Sequence, residues 1–351
     1  MTKCIGAPIP KWDLAHRLYV DRPAGPEIKD FGTIFEINST FMDVIEPSFL
    51  NKQWLIQAVV IAFLAIGIGP YIYVVTHSRP NPAFWGFMFD CVAALPVALF
   101  GTVVWKLGLG PFFGLRFLPV RFHREARKLY AIRARRYSAK AGEGDIVWEA
   151  PWTEESIFCL HREQTPYGTV FHIRHYTVDD QGKVTRVFSI GCEWTSGQIR
   201  AALAQWNYWC KYMNDGPNGL PLPMLFQTRH ETPRESFLFS LYDFGLNASV
   251  VFRSLAMPFV LSFTVMRMLA NVTCRNPVWP AAIEEISRVA MDDPHAQPCA
   301  GTPVGWGETV LAQRRGEYPK DSNARVEGWA GEPDGRQHAA AWLDNSTCAA
   351  Q

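Results

Sequence analysis

Residues 118–136 read LPVRFHREARKLYAIRARR, and this stretch decides the fold that the sequence predicts. It carries six arginines, one lysine and one glutamate. Two short runs rich in strand-forming residues, LPVRFH and KLYAIR, are separated by the polar REAR, a pattern that predicts a β-hairpin. The basic side chains of this hairpin could bind nucleic acid, a membrane surface or neither. The sequence on either side of the hairpin distinguishes these possibilities.

The composition points away from a nucleic-acid partner and from the common enzyme classes. The 351 residues have a formal net charge of +1, so no overall field attracts nucleic acid. Eight cysteines are scattered without a Cys-x-x-Cys pair, which is typical of reduced thiols. The sequence has no Gly-rich phosphate loop, no His-Glu-x-x-His and no Gly-x-Ser-x-Gly. We therefore expect a non-enzymatic protein with no catalytic residues, no cofactor and no metal site.

Two apolar stretches precede the hairpin, at 54–75 and 84–105. As helices of 22 residues, each would span about 33 Å, enough for a bilayer core of about 30 Å. The connection between them is short, so we predict a two-span transmembrane hairpin within residues 51–107. Lysine and arginine dominate both flanks, which places both flanks on the cytoplasmic side.

Asp90 lies inside the second apolar stretch. An ionised carboxylate is costly in hydrocarbon, so an acid at this depth indicates either a side chain that reaches the interface or a functional group. The alternative hypothesis for the whole protein is accordingly a small transporter or channel that uses Asp90. Two spans are few for such a role, so this hypothesis requires an oligomer.

The basic run follows the predicted exit from the membrane. Positive charge at this place fixes the membrane topology and contacts anionic lipid headgroups. These two roles already account for the basic residues, so a nucleic-acid role is not needed to explain them. We therefore predict contact with the membrane surface for eight residues: Arg116, Arg121, Arg124, Arg127, Lys128, Arg133, Arg135 and Arg136.

Several strand-like runs follow, and then an amphipathic helix. Its apolar stripe consists of residues 199, 203, 206, 210 and 213, and Asn214-Asp-Gly-Pro ends it. About six antiparallel strands closed by one helix have the element order of a pleckstrin-homology-like (PH-like) barrel. The predicted fold class is an α+β membrane protein. It comprises the two-span hairpin, a PH-like antiparallel β-barrel or sandwich at 112–221 with a C-terminal amphipathic helix, an apolar helical segment and a disordered tail.

A third apolar segment, 249–270, lies within a membrane-associated helical region predicted at 232–290. Between Arg253 and Arg267 there are 13 uncharged residues, a length more typical of a core, re-entrant or interfacial helix than of a span. We favour a helix on the membrane or against the hairpin, with these arginines as intramembrane polar residues. A full crossing, with the arginines snorkelling, would move the C-terminal chain to the other side.

The two ends of the chain and one histidine pair complete the predictions. Residues 1–50 are expected to be partly disordered, with a short strand pair at 30–46 that either adds to the barrel or pairs with a partner. Residues 291–351, rich in Gly, Pro, Ala and Asp, are expected to be disordered. His172 and His175 are three apart on a predicted strand and therefore on opposite faces, so they are not expected to share a metal ion.

Three motifs together resemble an uncharacterised family of bacterial inner-membrane proteins, a domain-of-unknown-function family. They are PVRFHREARKLYAIR, the Pro-Trp pair at 151–152 and WNYWCKYMNDGPNGLP at 206–221, and the likeness covers roughly residues 30–290. Members are often encoded near type VI secretion effectors. The resemblance implies a multi-pass inner-membrane protein with its main domain in the cytoplasm and an accessory or immunity role. The implied partners are the lipid bilayer and a protein such as a secreted effector. The family has no established catalytic residues.

Overall fold

A computed structural model of the protein describes residues 4–45, 113–133, 145–165, 168–195, 198–243, 249–321 and 324–327, with isolated positions between 62 and 102. The helices are α1 (Lys11–Ala15), α2 (Ile199–Asp215), α3 (Pro233–Asp243), α4 (Val250–Thr273), α5 (Ala281–Ile286) and α6 (Trp306–Arg315). The strands are β1 (Arg17–Leu18), β2 (Glu27–Ile28), β3 (Ile34–Ile37), β4 (Phe41–Ile45), β5 (Pro119–His123), β6 (Lys128–Arg133), β7 (Ile146–Pro151), β8 (Ile157–Thr165), β9 (Gly168–Val178), β10 (Val184–Thr195) and β11 (Ala324–Arg325).

The first sheet has five antiparallel strands in the order β3-β4-β5-β6-β7. β5 and β6 form the hairpin predicted from residues 118–136, with Phe122 opposite Leu129, so that prediction is confirmed. β4 pairs with β5 and brings Ile45 opposite Pro119. β4 ends at Ile45 and β5 begins at Pro119, so a long insertion separates these two neighbouring strands in the sequence.

The second sheet has the order β1-β8-β9-β10. β8, β9 and β10 are consecutive antiparallel neighbours. Side chains alternate between the two faces of a strand, and Phe158, Leu160, Phe171 and Ile173 are buried on the same face. These residues join residues of the first sheet in one hydrophobic core.

α2 lies inside this shared core. The predicted apolar stripe is confirmed, since all five of its members are buried: Ile199, Leu203, Trp206, Cys210 and Met213. Other sides of the helix are buried as well, including Tyr208, Trp209 and Tyr212. A helix buried nearly all round is a central element rather than a lid on one side of a barrel.

The N-terminal chain is held along α2, which differs from the expected partial disorder of residues 1–50. Asn207 Oδ1 accepts the Ala24 N–H at 2.7 Å, and Asn207 Nδ2 donates to the carbonyls of Gly25 and Glu27, both at 2.8 Å. Asn214 Nδ2 donates to the Val20 carbonyl at 2.6 Å. Side-chain amides of the helix thus satisfy backbone groups of a segment that has little regular secondary structure of its own.

The predicted fold class, a two-span hairpin followed by a PH-like barrel, is wrong. The described residues form a mixed α/β structure with several antiparallel sheets, and α4 is the one described helix long and apolar enough to cross a membrane. Residues 112–221 do not close on themselves, because β3 and β4 complete the first sheet and β1 joins the second. The predicted spans 54–75 and 84–105 lie almost wholly outside the described residues, and the isolated positions described there are helical.

The predicted disordered tail also differs from the structure, because α6 lies within it. Glu235 of α3 accepts the backbone N–H groups of Trp306 and Gly307, and the rings of Phe239 and Trp306 are 5.8 Å apart. The carboxylate satisfies N–H groups that have no partner within the first turn of a helix. Residues 328–351 lie outside the described residues.

A buried ion pair connects β4 and β5. Asp43 and Arg121 face each other across the two strands, and each is 1% exposed. Arg121 Nε donates to Asp43 Oδ1 at 2.7 Å, and Nη2 donates to Oδ2 at 2.8 Å. Arg229, from the chain before α3, donates to the same Oδ2 at 2.7 Å. Bidentate geometry with a further hydrogen bond is what allows a buried pair to offset the loss of hydration.

Asp43→Ala should lower the free energy of unfolding by about 3–5 kcal/mol, because it leaves the Arg121 charge buried without its carboxylate. Urea unfolding of the purified full chain in detergent measures this change. Glu149→Ala is the matched control, since it breaks the exposed Lys128–Glu149 pair at 2.5 Å and should leave the midpoint near that of the wild type. Equal stability of the two variants would contradict a structural role for the buried pair.

Candidate functional site

The residues predicted to contact lipid lie in different parts of the fold and make different contacts. Arg121 is enclosed by the ion pair with Asp43, and its guanidinium also lies over the rings of Phe41 and Trp279, 4.0 and 4.8 Å from their centroids. A lipid headgroup cannot reach a side chain in that position. The pattern of charges along the sequence did not reveal this burial, because β5 is buried along its whole length.

Two arginines of the β5–β6 turn lie at the C-terminal end of α2. Arg127 Nη1 donates to the Met213 carbonyl at 2.7 Å and to Asn214 Oδ1 at 3.1 Å. Arg124 Nη1 donates to the Ser39 carbonyl at 3.5 Å. The last carbonyls of a helix lack intrahelical partners and carry partial negative charge, so Arg127 serves as a cap for the central helix.

The remaining basic residues of the hairpin lie further along the sheet. Lys128 is half-exposed and pairs with Glu149. Arg133 connects the two sheets, since its Nη2 donates to the Ser189 carbonyl at 2.8 Å and its guanidinium lies over the Phe188 ring. Arg135 and Arg136 are outside the described residues.

Arg116 lies at the C-terminal end of α4. Its Nη2 donates to the Asn271 carbonyl and its Nη1 to the Arg229 carbonyl at 3.4 Å. Next to it, the backbones of Leu115 and Arg275 form a parallel bridge. Of the eight residues predicted to contact lipid, Arg116 is the one that the described structure ties to the apolar helix α4.

The surface of α4 is the most unusual surface among the described residues. Ten of its large apolar side chains are 38–83% exposed: Val250, Val251, Phe252, Leu255, Phe259, Leu261, Val265, Met268, Leu269 and Val272. The other exposed residues of this helix are serines and a proline, so its exposed surface carries no charge apart from the partly exposed Arg253 near the N-terminal end. Monomeric soluble proteins rarely expose a continuous apolar patch of this kind.

The two arginines of the α4 segment differ in their exposure. Arg267 is buried and donates from Nε and Nη2 to the two carboxylate oxygens of Glu231, at 2.8 Å each. Its guanidinium also lies 3.6 Å from the centroid of the Phe239 ring. Arg253 is partly buried. The third predicted intramembrane polar residue, Asp90, is outside the described residues.

A charged cleft lies close to the C-terminal end of α4. Arg229 bridges Asp43 and Glu36, with Nη2 at 2.7 and 3.2 Å from their carboxylates. Burial, with the neighbouring Asp43 carboxylate, raises the pKa of Glu36 above its ordinary value. The adjacent cavity has a volume of about 160 Å³, and Phe117 and Trp279 are among its lining residues. The charges there are paired with one another, which is the arrangement of a structural network.

A second polar cluster lies on the outer face of the second sheet, and sequence reasoning missed it. His161 is directly opposite His172 across β8 and β9, and Glu163 is two residues beyond His161. Side-chain donor atoms of these three residues lie within 4.8 Å of one another. The sequence drew attention to His172 and His175, which alternation places on opposite faces. The histidine that lies beside His172 is His161, which is eleven residues earlier in the chain and on the neighbouring strand.

Comparison with known proteins gives one match. The model of a family of unknown function, DUF6708, matches residues 97–291. The chain belongs to this family. No curated protein and no solved structure matches the chain. The DUF6708 match runs from the apolar chain before β5 to a point just beyond α5 and so includes α4, the apolar helix. It confirms the resemblance to a family of unknown function and assigns neither a location nor an activity.

Proposed function

We propose that the protein is a non-enzymatic binding protein anchored in a membrane by α4. The observation that carries this proposal is the apolar and widely exposed surface of that helix, on which the partly exposed Arg253 lies near the N-terminal end. Length and apolar composition alone do not decide the matter, because core helices of soluble proteins share them. A core helix, however, is buried, whereas α4 buries only one stripe, formed by Ala256, Val260, Thr264, Arg267 and Ala270.

The chemistry of the exposed surface favours hydrocarbon over the membrane–water interface. A helix that lies in the interface plane needs a charged or polar face towards water. In α4 the side opposite the exposed residues is occupied by protein, and Arg267 on that side is neutralised by Glu231. The 24 residues of α4 extend over about 36 Å, a length comparable to the bilayer core of about 30 Å.

The flanks of the α3–α4 segment support insertion from one side. Before α3, Gln227 N–H donates to the Ile34 carbonyl of β3 at 2.7 Å. After α4, Arg275 N–H donates to the Gly114 carbonyl at 3.1 Å, and Arg116 N–H donates to the Arg275 carbonyl at 2.9 Å. Both flanks are thus attached at or beside the first sheet. Furthermore, α6, which follows α4, packs on α3, which precedes it. We therefore propose a re-entrant α3–α4 unit whose two flanks stay on one side.

In this proposal, one corner of the first sheet lies next to the membrane. Ala270 and Cys274, at the end of α4, form a small apolar cluster with Phe35, Ile45 and Phe117. Ile45 is also the last residue of β4, after which the long insertion begins, and Phe117 lies just before β5. The described residues on either side of that insertion therefore lie at the same corner as the end of the apolar helix.

The biological role is proposed on the resemblance described above. We propose that the protein resides in the inner membrane of a Gram-negative bacterium, with its sheets in the cytoplasm. Its binding partner would be a secreted effector, for which it serves as an accessory or immunity protein. The alternative of a transporter or channel that uses Asp90 stays a prediction, because Asp90 lies outside the described residues.

Thiol labelling of the full chain tests the re-entrant arrangement. Cys299 is exposed and follows α4, and hydrogen bonds from Thr302 and Gln297 lower the pKa of its thiol, so it should react readily. The matched reporter is Asp180→Cys, in the exposed β9–β10 turn before α4, in a background with Cys4, Cys91, Cys299 and Cys348 replaced by serine. The Cys299 reporter carries the other three replacements.

With a membrane-impermeant maleimide, both positions should be protected in intact spheroplasts and labelled after lysis. Labelling of Cys299 alone from outside would show that α4 separates its flanks across the membrane, which contradicts the re-entrant arrangement. Labelling of both from outside would retain that arrangement and overturn the cytoplasmic placement.

The immunity role predicts a growth phenotype. A strain that expresses an active effector encoded beside this gene should stop growing when the gene is deleted and recover when the full chain is supplied. A strain with a catalytically inactive effector is the control and should grow in either case. Normal growth of the deletion strain beside the active effector would contradict the immunity role.

A further inference from the structure

The outer face of the second sheet carries a set of side chains whose donor atoms converge. His161 and His172 are a directly paired cross-strand couple, and their ring centroids are 5.0 Å apart. Glu163 Oε2 is 3.9 Å from His172 Nε2. These residues alternate with Leu160, Phe171 and Ile173, which point into the core, so the cluster is built on two strands whose other face is fixed by packing.

The first imidazole is held in the orientation of a ligand. His161 Nδ1 is 2.6 Å from Asp13 Oδ2. A carboxylate only accepts hydrogen bonds, so Nδ1 carries a proton, and in the neutral imidazole Nε2 is then the nitrogen with the lone pair. Asp13 is buried and also accepts the hydroxyl of Tyr176. A carboxylate that fixes the far nitrogen of a histidine is the usual partner of a metal-binding imidazole.

The second imidazole directs its Nε2 at the cluster, where Arg174 already donates to the lone pair of that nitrogen. Arg174 Nε donates to His172 Nε2 at 2.9 Å, and since guanidinium only donates, Nε2 is the unprotonated nitrogen. Arg174 Nη2 is 3.4 Å from Glu163 Oε2. A cation therefore already bridges the imidazole and the carboxylate. Arg174 has a second acceptor in Ser189 Oγ, at 3.4 Å from Nε, to which it can turn.

We propose that His161 Nε2, His172 Nε2 and a carboxylate oxygen of Glu163 bind a divalent transition-metal ion of the zinc type. Two histidines and one glutamate are a recognised zinc ligand set, and the fourth tetrahedral position is left to water. Zinc–ligand distances of about 2.0–2.2 Å require the donor atoms to contract from their present separation. Glu163 is 48% exposed on its side chain and can make this movement. Asp13 acts as a positioning residue, and Arg174 moves away as the ion enters.

A bound ion would join parts of the chain that are distant in sequence. It would connect β8 to β9 directly and, through Asp13, would connect both strands to α1. An ion that binds the folded chain and not the unfolded chain raises the free energy of unfolding. The increase grows with the logarithm of the ratio of the ion's concentration to its dissociation constant. The thermal midpoint should therefore rise with added zinc, independently of any activity.

Calorimetric titration of the metal-stripped full chain in detergent with zinc chloride tests this proposal. The wild type should bind one equivalent at this site. Glu163→Gln, at an exposed position that the fold tolerates, should weaken binding at least about tenfold, and Asp13→Asn should weaken it about 10–100-fold. Arg174→Gln should strengthen binding, because it removes the competing cation; a merely structural arginine would not give this result.

Glu155→Gln and His230→Gln are matched controls, since both residues are exposed and distant from the cluster, and Cys299→Ser controls for zinc held by the exposed thiol. These three variants should bind zinc as the wild type does. The proposal is overturned if the wild type binds no zinc, or if Glu163→Gln and His161→Gln both retain wild-type affinity.

Discussion

Asp43 and Arg121 meet in the interior on neighbouring strands, although they are 78 residues apart in the chain. An isolated charge at this depth would be strongly destabilising, so each residue requires the other in place. Arg229 adds a hydrogen bond from the chain that leads into α3, and Glu284 of α5 lies 3.9 Å from the Arg121 guanidinium. This one pair therefore fixes the register of β4 against β5 and also fixes the segments on either side of the α3–α4 unit.

The consequence is a corner where several parts of the molecule are joined. The end of α4 packs on Phe35, Ile45 and Phe117, and Arg116 satisfies a carbonyl in its last turn. The sheets and α2 provide a rigid body with a continuous core, whereas α4 presents an apolar surface that this body does not cover. In our proposal the rigid body stays in water and the uncovered helix enters the bilayer, so the two environments meet at this corner.

Local patterns in the sequence predicted the local structures. The alternation in residues 118–136 gave the β5–β6 hairpin, and helical spacing gave the buried stripe of α2, because both signals arise within one element. Partners distant in the chain could not be found in this way. A short strand pair at 30–46 is predicted and β3 and β4 form it, but the pairing of β4 with β5 and of β1 with β8 leaves no periodic trace. Arg121 and Arg127 appear in the sequence as members of a basic run, but one is buried with Asp43 and the other caps α2. The pairing of His161 with His172 likewise depends on the register of two strands.

The depth of α4 in a bilayer is the most direct test of the account. Phe259 is exposed in the middle of the helix, so a fluorophore attached to Phe259→Cys reports its surroundings, and one attached to Asp180→Cys in the β9–β10 turn serves as reference. With the full chain reconstituted in vesicles, we expect the label at 259 to be quenched by a quencher confined to the lipid tails and protected from an aqueous quencher. The label at 180 should show the reverse. Equal access of the aqueous quencher to both labels would contradict the anchoring of this protein by α4.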